Sequence, residues 1–120
     1  MSNANFYFSR GYTPITFHKA ISGLNTLQIV DPGAGRRLVV TGLHINCNSA
    51  GTIAFYFGGR TQVADANGLV AMYYRPASSV VQPYIGCWEG TAVGSALYAK
   101  LGGASGTDGC YVNGEGFYID

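Results

Sequence analysis

Apolar and polar residues alternate along several short runs of the chain, which is the pattern of β-strands with one buried face. In TIAFYFG (52–58), Ile53, Phe55 and Phe57 fall on one side of the run. SALYAKL (95–101) alternates in the same way. No 11-residue window has the apolar spacing of an amphipathic helix in preference to a strand. The runs that predict strands are 14–20, 24–30, 37–47, 52–58, 61–65, 69–74, 80–88, 95–101 and 110–120.

Glycines and turn residues separate these runs. The chain has 18 Gly in 120 residues, about twice the usual share of ~7%. The four residues NSAG join runs 37–47 and 52–58, and this spacing predicts a hairpin. We expect a bend at Gly42 and an edge position or bulge at Pro83, because proline has no N–H to donate to a sheet. The last run, 110–120, is interrupted by glycines and is predicted to be a broken strand.

About eight strands, with turn signals every 8–12 residues and no significant helix, predict an all-β protein. The expected architecture is an antiparallel β-sandwich or jelly roll that forms a single domain over residues 13–120. Residues 1–12 combine Asn and Ser with several aromatic residues, so they form either a first strand or an N-terminal arm that packs on a neighbouring molecule.

The composition is unusual for a protein that stays monomeric in solution. It is 48% hydrophobic but only 11% charged, where about 25% charged is typical. Since charged side chains normally keep a surface soluble, we expect part of this surface to be covered by a partner or by copies of the chain. The net charge is +1 and the basic residues are scattered, which argues against a nucleic-acid partner. No signal peptide and no membrane-spanning run of about 20 apolar residues is expected.

The stretch YIGCWEGTAVGSALYAKL places Cys87, Trp88 and Glu89 side by side and raises the question of a reactive site. A catalytic cysteine needs a nearby base. His18 and His44 are the two histidines, and both lie within strand-like runs, where a structural role is expected. We therefore interpret the stretch as a corner between two strands. We predict no enzymatic activity and no catalytic residues.

Metal and cofactor sites find little support in the sequence. Asp108, Asn113 and Glu115 offer oxygen atoms to a hard cation, but their spacing does not match a calcium loop. GAGRR (33–37) is followed by a strand instead of the helix that a phosphate loop requires, so a hairpin turn is expected there. The three cysteines have neither zinc-site spacing nor an even number, so we expect reduced, buried thiols. We predict no metal and no cofactor. The cysteines are Cys47, Cys87 and Cys110.

Four short patterns resemble small β-sandwich virion proteins of tailed bacteriophages, including head decoration (cement) proteins. They are GTIAFYFGG (51–59), ANGL (66–69), EGTAVGSALYAKL (89–101) and GTDGCYV (106–112). The resemblance spans about residues 13–113. In CWEG this chain has a glycine where the family pattern runs directly on to threonine, and no functional residues are carried over.

The resemblance implies a non-enzymatic capsid decoration protein that binds the major capsid protein and stabilises the assembled head. We expect a homo-oligomer, with a trimer favoured, on the outer surface of the capsid after synthesis in the bacterial cytoplasm. No membrane and no nucleic acid is expected as a partner. The residues predicted to contact the partner are Phe6, Tyr7, Phe8, Arg10 and Tyr12.

Two alternatives remain open from the sequence. A tail, neck or fibre module of the virion would have the same fold. A carbohydrate-binding sandwich would display an aromatic residue beside polar groups, because sugar rings stack on aromatic rings. Trp88 with Glu89, or Tyr73 and Tyr74 with Arg75, are the candidates for such a site.

Overall fold

The structure is a computed structural model that describes residues 12–23, 25–59, 68–76, 79–83, 85–103 and 109–119. Within these ranges the chain forms nine β-strands and contains no helix long and apolar enough to cross a membrane. The strands are β1 (Tyr12–Ser22), β2 (Leu27–Val30), β3 (Arg37–Cys47), β4 (Gly51–Gly58), β5 (Leu69–Arg75), β6 (Ser79–Val81), β7 (Trp88–Glu89), β8 (Ala96–Gly102) and β9 (Gly109–Ile119).

The strands form two antiparallel sheets packed face to face. Sheet A has the order β1-β9-β3-β6, with β7 also paired to β3, and sheet B has the order β2-β8-β4-β5. The pairs β1·β9, β2·β8, β3·β6 and β4·β5 are nested in the sequence, as if one long hairpin had been rolled up. This arrangement is a jelly roll, and the predicted fold class is confirmed.

The core lies between the two sheets and follows the alternation seen in the sequence. Ile53, Phe55 and Phe57 of β4 point inward and are at most 5% exposed. Burial of such side chains contributes about 1.5–3 kcal/mol each and is the main stabilising term. They pack against Leu97 and Leu101 of β8 and against the inward side chains of sheet A. The side chains that sheet A contributes to this core cluster are Ile21, Leu38, Val40, Leu43, Ile45, Cys47, Cys110 and Val112.

Both predicted hairpins are wrong. Strands β3 and β4, on either side of the NSAG turn, belong to different sheets, and so do β2 and β3 on either side of GAGRR. Each of these turns carries the chain across the sandwich. The alternation within a strand shows which face is buried, but it does not show which strand is the neighbour.

Other local predictions have mixed outcomes. The bend at Gly42 is confirmed, because the register of β3 against β9 shifts between Val40 and Gly42. The predicted strand 80–88 is wrong as a single strand: β6 and β7 pair with different parts of β3, and Pro83 lies in the segment between them instead of at an edge or bulge within a strand. The final run is one continuous 11-residue strand instead of a broken one. The predicted strand 61–65 lies outside the described residues.

The stretch around Trp88 is a corner, as predicted. Strand β7 belongs to sheet A and β8 to sheet B, and residues 90–95 connect them. Two backbone hydrogen bonds hold this connection against β3: Gly90 N donates to Leu38 O at 2.8 Å, and Gly94 N donates to Arg36 O at 2.7 Å. The connection is therefore a fixed part of the sandwich.

Candidate interaction surfaces

Residues proposed from the sequence as reactive are separated by the fold. Cys87 is exposed, which corrects the expectation that all three thiols are buried, while Glu89 forms a 2.9 Å ion pair with Arg37. His18 lies on the exposed face of β1, where its Nδ1 is hydrogen-bonded to Asn113 Oδ1. Glu89 and His18 are thus each paired with a different structural partner.

Trp88 faces inward instead of being displayed for a ligand. Its ring stacks on Tyr73 with 6.4 Å between centroids, and Phe55 lies 5.5 Å away. Arg75 is fully buried and so cannot serve as a surface polar group beside Tyr74. Neither predicted carbohydrate site therefore has the expected arrangement of an exposed aromatic ring next to polar groups.

The outer face of sheet B exposes several large apolar side chains. Met72, Tyr74 and Leu69 of edge strand β5 are 56%, 68% and 45% exposed. They pair with outward residues of β4, which in turn pair with outward residues of β8. We call this surface the Met72 face; its outward residues are Thr52, Ala54, Tyr56, Leu69, Met72, Tyr74, Tyr98 and Lys100.

A shallow depression of about 200 Å³ lies at the centre of the Met72 face. Ala54 is buried there, while Tyr56, Met72 and Lys100 also line the depression. Tyr98 is also buried on this face, and its hydroxyl donates to Gly59 O and accepts a hydrogen bond from Gln28. Lys100 is the single charged residue on the face, so the surface can be covered without burying several charges.

The outer face of sheet A is more polar. His18, Asn113 and His44 form one row across β1, β9 and β3. Glu115 lies two residues further along β9 and therefore on the same face as Asn113. A groove of about 500 Å³ includes His44, Asn113 and Glu115. Gly42 leaves room for the Glu115 side chain, because a Cβ at Gly42 would come 3.0 Å from Glu115 Oε1.

The hypothesis of a cation site gains no support from this arrangement. Asp108 lies outside the described residues, and Asn113 Oδ1 is engaged by His18. Among the residues that the structure describes, no three or more His, Cys, Asp or Glu side chains are grouped so as to hold a metal ion. The groove is a polar surface, and we assign no ligand to it.

Of the five residues predicted to contact the partner, Tyr12 is the one that lies within the described residues. Phe6, Tyr7, Phe8 and Arg10 lie outside the described residues. Tyr12 is the first residue of β1, and its ring stacks on Phe117 of β9 with 5.1 Å between centroids. The stack holds Tyr12 at one end of sheet A.

Tyr118 and Tyr73 are half-buried tyrosines whose titration is altered by the fold. Burial raises the pKa of Tyr118; the nearby Arg36 charge lowers it and Asp31 raises it. The Arg36 guanidinium lies 5.3 Å from the centre of the Tyr118 ring, where a cation is attracted to the aromatic face. Burial alone raises the pKa of Tyr73. Both hydroxyls therefore stay neutral up to a higher pH than an exposed tyrosine does.

No family model matches the chain, and no curated protein sequence matches it. A solved structure titled "Cyanophage Pam1 capsid asymmetric unit" is similar over 92% of this chain and 87% of that chain, with a TM-score of 0.46 and 14% sequence identity. A likeness this distant carries no argument about what this chain does.

Proposed function

We propose that the chain is a non-enzymatic structural protein of a tailed-bacteriophage virion, and specifically a decoration protein that binds the major capsid protein on the outside of the assembled head. The sequence resemblance over residues 13–113 supports this class. The structural observation that supports a partner-covered virion protein is the Met72 face, because a small protein rarely exposes a cluster of large apolar side chains such as Leu69, Met72 and Tyr74 without a partner.

The Met72 face has the composition of an interface core. Tyrosine and methionine are enriched in such cores, and charged residues are depleted. The face contains exposed Met72 and Tyr74 and the buried floor residue Ala54, with Lys100 as its one charge. We propose that this face packs against another copy of the chain in a homo-oligomer, in which a closed ring such as a trimer would cover it on every subunit.

Contact with the shell is assigned to the N-terminal segment. Phe6, Tyr7, Phe8 and Arg10 precede Tyr12, whose ring is anchored on Phe117. Aromatic residues and arginine dominate the energy of many interfaces, which supports the segment as a contact with the capsid protein. In this proposal the aromatic side chains insert between shell subunits and Arg10 pairs with an acidic residue of the shell.

Stabilisation of the head then follows from mass action. A protein that binds the assembled shell and not the separate subunits shifts the equilibrium towards assembly, even when each contact is modest. Many copies arranged by symmetry add these contributions over the particle.

The experiment that tests the function is the composition of purified particles of the phage that encodes the chain. Heads and tails are separated and the chain is quantified in each by mass spectrometry. A copy number comparable with that of the capsid protein, confined to heads, is expected. A few copies confined to tails would replace the proposal with the tail, neck or fibre module, and absence from both fractions would refute a virion role.

A deletion variant tests the assigned shell contact. Removing residues 2–11 leaves Tyr12 and its stack on Phe117 intact, so the sandwich is expected to keep its stability. Binding to heads should fall by more than tenfold, which corresponds to about 1.4 kcal/mol. Undiminished binding by a folded deletion variant would show that the segment does not make the contact.

A further inference from the structure

Two cysteines that are distant in the sequence are direct neighbours in sheet A. Cys47 ends β3 and Cys110 lies near the start of β9, and the two are register partners. Their Sγ atoms are 3.2 Å apart, with the Cys110 thiol directed at Cys47. Both side chains are buried in the core, at 7% and 3% exposure.

The backbone around the two thiols has the geometry that a cross-strand disulfide needs. Asn48 N donates to Gly109 O at 3.2 Å, and Gly109 N donates to Asn48 Oδ1 at 2.9 Å, so the residues just outside the cysteines occupy the hydrogen-bonded position of the ladder. Hydrogen-bonded and non-hydrogen-bonded residue pairs alternate along an antiparallel ladder, so the neighbouring pair, Cys47 and Cys110, is a non-hydrogen-bonded pair. Cα atoms in such pairs are about 4.5 Å apart, within the disulfide range of about 4.4–6.8 Å.

We propose that Cys47 and Cys110 form an oxidisable dithiol that closes to a cross-strand disulfide between β3 and β9. A small disulfide such as oxidised glutathione is the oxidant. The thiolate of one cysteine attacks a sulfur of oxidised glutathione and releases one glutathione thiolate, leaving a mixed disulfide. The second cysteine thiolate attacks the protein sulfur and releases the second glutathione. Two protein thiols lose two protons and two electrons, and one oxidised glutathione becomes two reduced molecules.

A cleft gives the oxidant access to the pair. It has a volume of about 370 Å³ and lies at the end of sheet A where β1, β9 and β3 meet. Both cysteines line it, together with Ser22, Asn48 and Tyr111. The more exposed thiol, Cys47, is the one expected to react first.

The closed disulfide would stabilise the sandwich. It ties β3 to the last strand of the chain and closes a loop of roughly 60 residues, which restricts the unfolded state. The sulfur atoms must approach by only about 1.2 Å to reach bonding distance, so little strain is expected in the native sheet. An increase in Tm of about 10 °C follows for a domain of this size. Under the proposed function, oxidation would accompany release of the particle from the reducing cytoplasm.

The experiment uses the full chain with Cys87→Ser, because Cys87 is exposed and would form mixed or intermolecular disulfides of its own. The reduced protein is incubated with mixtures of oxidised and reduced glutathione, then alkylated in denaturant and analysed by intact mass and peptide mapping. Tm is measured before and after dithiothreitol. The same measurements on Cys87→Ser/Cys110→Ala and Cys87→Ser/Cys47→Ala provide the matched controls.

The expected result is a loss of two hydrogens, a Cys47–Cys110 linked peptide, and a rise in Tm of about 10 °C that dithiothreitol reverses. The single-thiol controls should show no such rise. Two alkylatable thiols per chain after oxidation, or glutathione adducts without an internal link, would overturn the proposal. The measurement uses the isolated chain, so its outcome is independent of whether the virion role is correct.

Discussion

Replacing Arg75 with methionine is expected to destabilise the protein by about 4 kcal/mol, because Arg75 is a buried hydrogen-bond donor for three backbone carbonyl groups. Arg75 is fully buried at the end of β5. Its guanidinium donates to Ser49 O, to Thr52 O at 3.0 Å and to Gly102 O at 3.2 Å. A further bond to Ser49 Oγ measures 2.8 Å. One side chain thus joins the β3–β4 turn, β4 and the end of β8.

The magnitude follows from the acceptors that methionine would leave behind. Each buried acceptor without a donor costs about 1–3 kcal/mol, and water can reach some of them at the end of the sandwich. Methionine fills much of the same space, so loss of packing adds little. With an unfolding entropy of about 0.25 kcal/mol per degree for 120 residues, 4 kcal/mol corresponds to a decrease in Tm of about 15 °C.

The assay is urea denaturation followed by circular dichroism, with Tm measured in parallel. Lys19→Met is the matched control, since Lys19 is an exposed cation on β1, away from the Met72 face, and its loss should change stability by no more than about 0.5 kcal/mol. Arg75→Lys should lie between the two, because lysine keeps the charge but not the planar fork of donors. A loss of less than about 1 kcal/mol for Arg75→Met would refute the reasoning.

Three further predictions concern the sheet contacts, the Met72 face and alkaline pH. Gly116→Ala should cost about 3 kcal/mol in urea denaturation, because the new Cβ would lie 1.9 Å from Val39 O. Met72→Asp should weaken self-association at least tenfold by light scattering, whereas Val93→Asp, at a similarly exposed apolar residue on the β7–β8 turn, should not. Stability should fall as pH rises above about 10, because the pKa of Tyr118 is higher in the folded protein than in the unfolded chain, so the unfolded chain ionises first. Tyr118→Phe should reduce this loss of stability.

Each of these predictions has an outcome that contradicts it. Wild-type stability of Gly116→Ala would mean that β9 is not held as closely to β3 as the structure shows. Equal effects of Met72→Asp and Val93→Asp on association would remove the Met72 face as the self-contact. For the pH series, identical urea midpoints of wild type and Tyr118→Phe from about pH 8 to pH 11 would show that Tyr118 titrates normally.

The fold class could be predicted because alternation and turn spacing are local properties. The inward residues of β4 and β8 were recognisable from sequence, since Phe55 and Leu97 belong to runs in which every second residue is apolar. The corner after Trp88 was recognisable from its glycines. The pairing of strands was not recognisable from sequence, because a turn that crosses the sandwich has the same short, polar, glycine-containing sequence as a hairpin turn.

The candidate surfaces and the thiol pair depend on that pairing, so the sequence could not indicate them. Run 69–74 has apolar or aromatic residues on both faces, and nothing in it shows that Met72 and Tyr74 point outward. Arg75 follows two tyrosines and resembles a surface residue until the fold encloses it. Cys47 and Cys110 meet only because the jelly roll places the last strand beside the third.

Binding of the purified chain to assembled heads tests the central claim most directly. Heads depleted of the chain and, separately, unassembled capsid protein are mixed with increasing amounts of the chain, and the bound amount is measured by sedimentation. Saturable binding to heads at a fixed ratio to capsid protein, with no binding to the unassembled subunits, is the predicted result. A chain that sediments with neither, while remaining folded, would contradict its role as a capsid decoration protein.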